Sequence, residues 1–421
     1  MSPIAACSTR LLDPTRAVSE LAAGVAARLG PDGAIAGAML LSNGAAGPEA
    51  ARVAGALAAG PWSGVELLGT GFEGLIAEGR SWRDEPALVA IAWSEGRRSP
   101  LPIAFEDALP PPAELAEELS VSGIDRPPTP GDLLLVFPDA LGTTDAAAWL
   151  AELARLLHPM RIAGAAASGP GGGPAVGWHA DGPFRAGLVG LLLPGPMEAE
   201  PFAPPWLRSV GGTRAASPWL EVTGCRPRWI DGLEEEPALD WVRRQLGLEP
   251  GDPVEPHLDR LLVRIRPGGA HTVGCAGDEA ASDREVLGET PTSGAAAAVD
   301  YEERYVVGVD GRRGAISVPA TVRRGDRVAL ALPDAALARE GLRGALRERP
   351  EADLILQLGC RARDAGLHGD DDLESALVAH AAGPDAPPIV GTISPWQIGP
   401  DGLGPCRPLV HATVLAAIRS S

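Results

Sequence analysis

The sequence predicts an α/β fold of the mixed α+β type, with two mixed-sheet halves and covering helices packed as one body. Three observations predict it. The chain has 421 residues, a length typical of about two domains. Hydrophobic residues make up 45% of it, enough to bury a core. Segments with helical periodicity alternate with short apolar runs that end at glycine or proline, as expected for helices packed on sheets.

In the first half, helices are predicted where alanine and leucine recur at helical spacing, and strands where short apolar runs are bounded by turn residues. The predicted helices are 14–29, 49–59 and 145–157. The predicted strands are 34–42, 65–68, 87–93, 102–104, 132–138, 161–167 and 186–193. We therefore predict a first domain at 1–205, which ends in a proline-rich stretch.

The second half, 206–421, continues the same alternation and is predicted to form a second domain. Its predicted helices are 236–246, 334–348 and 373–380. Its predicted strands are 228–230, 304–309, 315–318, 326–331, 352–358 and 389–393, and 409–417 is either a strand or a helix. Residues 276–300 are rich in small and acidic residues without periodicity, so we predict a mobile insertion there.

The charge of the chain excludes several classes of function. The formal net charge is −19, which disfavours nucleic acid and anionic lipid as partners. The chain contains no lysine and one asparagine, a bias typical of a GC-rich bacterial genome. Without lysine, neither Schiff-base chemistry nor a phosphate-binding P-loop is possible.

The cysteines and the apolar runs indicate a compartment. The five cysteines are far apart and form no C-x-x-C pair, which argues against a disulfide framework or a structural zinc site and for a reducing environment. We expect no signal peptide, because the N-terminus lacks a basic region followed by a long apolar run. No apolar run approaches the length of a membrane span. The sequence therefore predicts a cytoplasmic protein with no membrane partner.

Two kinds of motif in the sequence could indicate a cofactor or a metal site. Residues 69–74 fit G-x-G-x-x-G, but a dinucleotide site also needs a helix that opens at the motif and a more distant acidic residue, so a tight turn is favoured. His179 with Asp181 could contribute to a metal site, and so could His368 beside three aspartates. A solvated loop and an acidic helix start explain those groups more simply. We predict no cofactor and no bound metal.

The densest group of reactive side chains follows the predicted strand 352–358. Cys360 lies beside Arg361 and Arg363, and neighbouring guanidiniums can lower the pKa of a thiol. Ligands of open α/β sheets also bind at the carboxyl ends of strands. Composition favours a small buried cysteine with two solvated arginines. Both interpretations stay open at this point.

These segments, taken in order, resemble the FIST family. The family's C-x-x-R after a strand resembles residues 360–363, and its G-F-x-x-x-G-E-I-G-P segment resembles 389–391 followed by 397–400. Residues 68–71 also resemble its Gly-Cys/Ser-Thr segment, and 161–166 resemble its I-x-G-G-x-A strand. Residues 229–232 followed by 237–239 resemble its L-D-G-x-P-A-L stretch, and 411–413 lie where the family has a His/Asn–Thr pair. Two departures stand out: Gln397 replaces an acidic residue, and an asparagine before Thr413 is missing.

The resemblance implies a FIST N-like domain at 1–205 and a FIST C-like domain at 206–421. It implies a sensory module of bacterial signal transduction that binds a small molecule, with amino acids or related carboxylates as ligands and a separate signalling protein as a partner. The ligand-binding residues that it implies are Cys360, Arg363, Gln397, His411 and Thr413. Among these, Arg363 is expected to be the main charged contact with the ligand.

Two other functions stay open from the sequence. One is an enzyme with Cys360 as nucleophile and His368 or His411 as base, which requires a thiol and an imidazole within about 2.6–3.2 Å of each other. The other is an interaction scaffold without a ligand. A convergent polar pocket that contains Cys360 and Arg363 would favour the sensory module or the enzyme over the scaffold.

Overall fold

The computed structural model describes residues 4–11, 13–30, 33–94, 100–122, 126–142, 145–195, 205–268, 301–383, 386–400 and 406–419. The chain divides into two compact units, one formed by Met1–Gly211 with Arg339–Ser421 and a smaller one formed by Gly212–Ala338. The larger unit therefore contains both ends of the chain. The predicted domains, in contrast, divide the chain once, near residue 205. The predicted insertion 276–300 lies outside the described residues.

Both units contain helices and strands, which confirms the predicted mixed α+β class. The helices are α1 (Pro14–Leu29), α2 (Gly47–Ala59), α3 (Pro112–Ser122), α4 (Ala146–Leu156), α5 (Ala238–Leu246), α6 (Ala335–Arg347), α7 (Ala365–His368) and α8 (Leu373–Ala382). The strands before residue 212 are β1 (Ile4–Thr9), β2 (Ile35–Asn43), β3 (Glu66–Phe72), β4 (Gly74–Ala77), β5 (Arg80–Trp82), β6 (Leu88–Ser94), β7 (Leu101–Glu106), β8 (Leu133–Pro138), β9 (Arg161–Ala165), β10 (Val176–His179), β11 (Gly182–Leu193) and β12 (Trp206–Gly211).

The remaining strands lie in the smaller unit and at the C-terminal end of the larger one. The smaller unit contains β13 (Thr213–Ala215), β14 (Leu220–Arg226), β15 (Trp229–Leu233), β16 (Glu236–Pro237), β17 (Leu262–Arg266), β18 (Glu302–Tyr305), β19 (Gly308–Asp310), β20 (Ala315–Ser317) and β21 (Arg327–Pro333). The C-terminal strands are β22 (Leu354–Cys360), β23 (Ile389–Ser394), β24 (Gln397–Pro400), β25 (Cys406–Leu409) and β26 (Ala412–Ile418). The segment 409–417, predicted as a strand or a helix, is therefore mostly strand.

Two sheets build the larger unit. Among the described strands, the first sheet has the order β1-β6-β2-β3-β10-β11-β8-β9-β24-β25, with β7 paired to β11. The second sheet has the order β12-β26-β22-β23-β4-β5. The pairs β2–β3, β8–β9 and β22–β23 are parallel. Because β4 and β5 pair with C-terminal strands, the second sheet links the two ends of the chain, which is why they share one compact unit.

The period of two along each strand decides what each face of the second sheet contacts. Leu354, Leu356 and Leu358 of β22 belong to the largest apolar core, which also contains side chains of the first sheet. Ile355, on the opposite face, packs in a separate cluster with apolar side chains of α6 and α8. The second sheet is therefore covered on both faces, with one face toward the first sheet and the other toward helices.

The G-x-G-x-x-G segment lies in strands. Gly69 and Gly71 are inside β3 and Gly74 begins β4, so no helix opens at the motif. A Cβ atom on Gly69 would clash with Trp178 Nε1, and one on Gly71 would lie 2.9 Å from the Ser168 carbonyl oxygen. These glycines allow close packing of β3 against its neighbours. They do not form the strand-to-helix turn that a dinucleotide fingerprint requires.

The described part of the smaller unit is a sheet with helix α5 packed on it. Its described strands have the order β18-β17-β21-β14-β15-β20-β19, with β13 paired to β21 and β16 to β15. Trp241 of α5 is fully buried in its core. Across the described parts of both units, no helix has the length and apolar character needed to cross a membrane.

Candidate functional site

The polar side chains singled out in the sequence gather where β22 and β23 end. The two strands are parallel, so their carboxyl ends meet at one edge of the second sheet, and Cys360 lies beside Ser394 in the register. Ligands of open sheets bind at such edges. The predicted ligand-binding residues Cys360, Arg363, Gln397, His411 and Thr413 are all buried, with exposed fractions of 4% or less.

Arg363 makes an internal ion pair. Its Nε and Nη2 donate to Glu374 Oε1 at 2.8 and 2.5 Å. Its Nη1 donates to the main-chain carbonyls of Val210 and His411 at 3.0 and 3.1 Å. The Arg363 side chain has no exposed surface. The charge expected to hold a ligand's carboxylate is thus balanced by a carboxylate of the same chain.

Glu374, on α8, is the centre of a buried cluster of hydrogen-bonded side chains that also contains Arg363, His368 and Thr413. His368 Nε2 donates to its Oε1 at 2.9 Å, and Thr413 Oγ1 donates to its Oε2 at 2.6 Å. Burial alone would raise the pKa of Glu374, but the Arg363 charge and these hydrogen bonds outweigh it and hold the pKa at about 2. The carboxylate is therefore ionised although it is buried.

His411 adopts an unusual backbone conformation that serves two neighbours. Its φ of 52° is in the left-handed region, which a residue other than glycine seldom occupies. In this conformation its carbonyl accepts from Arg363, while its N–H acts on the Cys360 sulfur. Burial, with the Arg363 charge as the next cause, lowers the pKa of the His411 imidazole to about 4. The imidazole is therefore neutral at pH 7.

Cys360 lies two residues after Leu358 on the same strand, so its side chain points to the same face of the second sheet, toward the apolar core. Its thiol donates to the Pro395 carbonyl at 3.8 Å. Burial raises the pKa of this thiol and outweighs the main-chain N–H groups of Ala362 and His411 and the arginine charges. The prediction of a buried cysteine is therefore confirmed for Cys360, whereas its role in binding a ligand stays a prediction.

The arginines beside Cys360 differ from the predicted solvated pair. Arg361 is 59% exposed and donates to Glu73 Oε1 at 2.9 Å. Arg363 is buried, so the prediction of two solvated arginines holds for Arg361 and is wrong for Arg363. The free energy needed to bury the guanidinium is offset by Glu374, which supplies both the opposite charge and the hydrogen-bond acceptors.

Gln397 joins the two strand ends on the Cys360 side. Its Nε2 donates to the carbonyls of Gly359 and Ser394 at 2.9 and 3.1 Å. Its own Oε1 is buried and has no hydrogen-bond partner among the described residues, and the same is true of Ser394 Oγ and Thr392 Oγ1. Thr392 and Ser394 share the strand face of Val390, which points into the core between the sheets. We call these three side chains and Cys360 the interior polar set.

One comparison identifies part of the chain. Residues 238–398 match the family model of the FIST C domain. The chain contains a FIST C domain. No curated protein matches the chain. The match extends from α5 to β24, and the family has been assigned a sensory role in signal transduction.

The FIST C domain match includes part of the predicted site. Cys360, Arg363 and Gln397 lie inside the matched residues, whereas His411 and Thr413 follow them. His368, which was named from the sequence only as a possible base or metal ligand, and Glu374, which sequence reasoning missed, also lie inside. One signal in the sequence could have indicated that Glu374 is buried. It lies one turn before the apolar Val378 in a predicted helix, so both side chains are expected on the same face of that helix. The FIST N-like assignment of 1–205 stays a prediction.

Within the residues that the structure describes, the geometry does not support either metal-site hypothesis. His368 binds Glu374 instead of the aspartates that follow it. His179 stacks on Phe184 with ring centroids 5.2 Å apart. No described group of three or more histidine, cysteine or acidic side chains is arranged to hold a metal ion.

Alkylation should distinguish the buried Cys360 from the half-buried Cys7. We expect iodoacetamide at pH 7 to modify Cys360 of the FIST C domain at least about tenfold more slowly than Cys7, because the Cys360 thiol is buried and protonated whereas Cys7 is half-buried. Peptide mass spectrometry over time measures both rates, and the urea-unfolded chain is the control. Equal or faster modification of Cys360 would favour the enzyme hypothesis.

Proposed function

We propose that this chain is a cytoplasmic small-molecule-binding sensory module of bacterial signal transduction, with an amino acid or a related carboxylate as its ligand. The FIST C domain supports the sensory role. The ligand is proposed to bind at the interior polar set of Cys360, Thr392, Ser394 and Gln397. Its occupancy would be passed to a separate signalling protein.

The unpartnered oxygens of the interior polar set are the observation that carries this proposal. Buried polar atoms in native proteins are nearly always hydrogen-bonded, so three unpartnered atoms near the ends of β22 and β23 suit a polar molecule bound among them. The hydroxyls of Thr392 and Ser394 can donate to a carboxylate, and Gln397 Oε1 can accept from an ammonium group. An amino acid offers both groups at a short separation.

Arg363, His411 and Thr413 then act behind the interior polar set. Arg363 fixes the backbone at Val210 and His411, and Thr413 helps to hold Glu374. Because Arg363 and Glu374 neutralise each other, they give the site no net charge. This favours a zwitterionic ligand over a multiply charged anion.

Two variants test the site directly. Gln397→Leu and Ser394→Ala should each weaken binding of an amino acid that stabilises the wild type by about tenfold or more, because each removes a hydrogen bond to a charged group. Gln357→Leu is the matched control, since Gln357 is a buried amide on β22 whose side chain lies on the opposite face of the sheet.

The measurement is isothermal titration with the amino acids and carboxylates that raise the melting temperature in a screen. The proposal is supported if Gln397→Leu and Ser394→Ala lose affinity and Gln357→Leu keeps it. It is contradicted if the two site variants bind as tightly as the wild type. A screen in which no amino acid or carboxylate binds would favour the scaffold hypothesis.

A further inference from the structure

A groove in the larger unit lies outside the interior polar set and carries its own charged groups. Its volume is about 390 Å³. It is lined by β1, the end of α1, the turn between β4 and β5, α8 and the start of β23. This volume is within the range of small-molecule sites, about 300–1,000 Å³.

Opposite charges face this groove from two elements. Arg28, near the end of α1, donates to the Ala6 carbonyl, and Glu78 accepts from Ser8 Oγ at 3.1 Å. No described residue forms an ion pair with either charged group. Cys7 also lines the groove. Burial raises the pKa of its thiol, and the charges of Arg28 and Glu78 act on the same pKa in opposite directions. A guanidinium and a carboxylate are therefore available to a ligand on one side of the molecule.

The position of Glu78 is costly for the fold. Glu78 and Gly79 connect Ala77 to Arg80 in the β4–β5 hairpin, with φ of 54° and 75°. Two positive φ values are those of a type I′ turn, in which asparagine is strongly preferred at the first position. A glutamate is not a preferred residue at that position of the turn, and its carboxylate accepts from Ser8 Oγ of β1. Such strain is concentrated at ligand-contact sites.

The rest of the groove is apolar and rigid. Ile4 and Ala6 of β1 and Ile389 and Val390 of β23 are buried parts of strands. Prolines precede β23 at the wall. The lining therefore combines one cation, one anion, one hydroxyl and an apolar surface, which is the set of groups that matches an amino acid with an apolar side chain.

We propose that this groove is a second ligand site, which binds a small zwitterion such as an apolar amino acid, with its carboxylate at Arg28 and its ammonium group at Glu78. The proposal does not depend on the interior polar set. The two sites share no lining side chain, so they can be tested separately.

The experiment is titration of the full chain with L-leucine, L-methionine and L-phenylalanine, each up to about 10 mM. Arg28→Gln and Glu78→Asn should each weaken binding by about tenfold to a hundredfold, since each removes a charge-assisted contact. Asparagine suits the turn, so Glu78→Asn should fold at least as well as the wild type. Arg16→Gln, an exposed arginine on the same helix, is the matched control.

Two further measurements separate this site from alternatives. Isocaproate lacks the ammonium group of leucine and isoamylamine lacks its carboxylate, so each should bind more weakly than L-leucine. Bound L-leucine should also slow alkylation of Cys7, and Gln397→Leu should leave that protection unchanged. The proposal is overturned if none of the three amino acids binds, if both charge variants bind as the wild type does, or if Gln397→Leu abolishes the protection.

Discussion

Arg363→Ala is expected to lower the free energy of unfolding by about 3–5 kcal/mol, because it leaves the Glu374 carboxylate buried without its counter-charge. It also leaves the carbonyls of Val210 and His411 without a donor. Arg361→Ala is the matched control. Its guanidinium is mostly exposed, so its removal should cost less than about 1 kcal/mol. Urea unfolding followed by circular dichroism measures both changes.

A second substitution separates the loss of charge balance from the loss of packing. Arg363→Ala combined with Glu374→Gln should be more stable than Arg363→Ala alone, because a neutral amide needs no counter-charge and its oxygen can still accept from Thr413 or His368. If the double variant is as unstable as the sum of the two single variants, the ion pair is not the reason for the effect.

The Arg363 result also bears on the ligand prediction. A variant that loses several kcal/mol can lose ligand binding without ever having contacted the ligand. Gln397→Leu and Ser394→Ala are therefore the sharper tests of the proposed site. Arg363→Ala tests the structure behind it.

Acidification from pH 7 to pH 4 is expected to destabilise the chain through His411 by about 3 kcal/mol. The pKa of this imidazole is about 6.5 in the unfolded chain and about 4 in the folded one, so the unfolded state takes up the proton first. The contribution is present above pH 6.5 and is lost as the pH falls through 4. Urea unfolding at a series of pH values measures it.

The control for this pH dependence is His411→Asn. Asparagine tolerates the left-handed backbone at this position and does not titrate, so the variant should lose about 3 kcal/mol less than the wild type between pH 7 and pH 4. Equal slopes for the two proteins would show that His411 is not the titrating group. Below pH 4.5 the depressed pKa of Glu374 adds a second loss, which extends to its folded value of about 2.

Much of the local structure could be predicted because it depends on short-range periodicity. The apolar run 352–358 predicted a buried strand, and β22 is that strand, with Cys360 at its end. Helix α8 begins at the predicted residue 373. Strand β1 and helix α3 were missed. Strand β1 consists largely of small side chains, which show no clear alternation between apolar and polar positions.

The sequence by itself determined the fold class, the likeness of its C-terminal part to the FIST C domain and, through the absence of lysine, the exclusion of Schiff-base and P-loop chemistry. These follow from composition and from neighbours a few positions apart. Only the tertiary structure decided the charge state and surroundings of the site. Arg363 contacts Val210 across 153 positions, and the pKa values of Cys360 and Glu374 depend on everything packed around them. Desolvation and long-range pairing are properties of the whole fold, so no local pattern in the chain could have revealed that the ion-pair partner of Arg363 is Glu374.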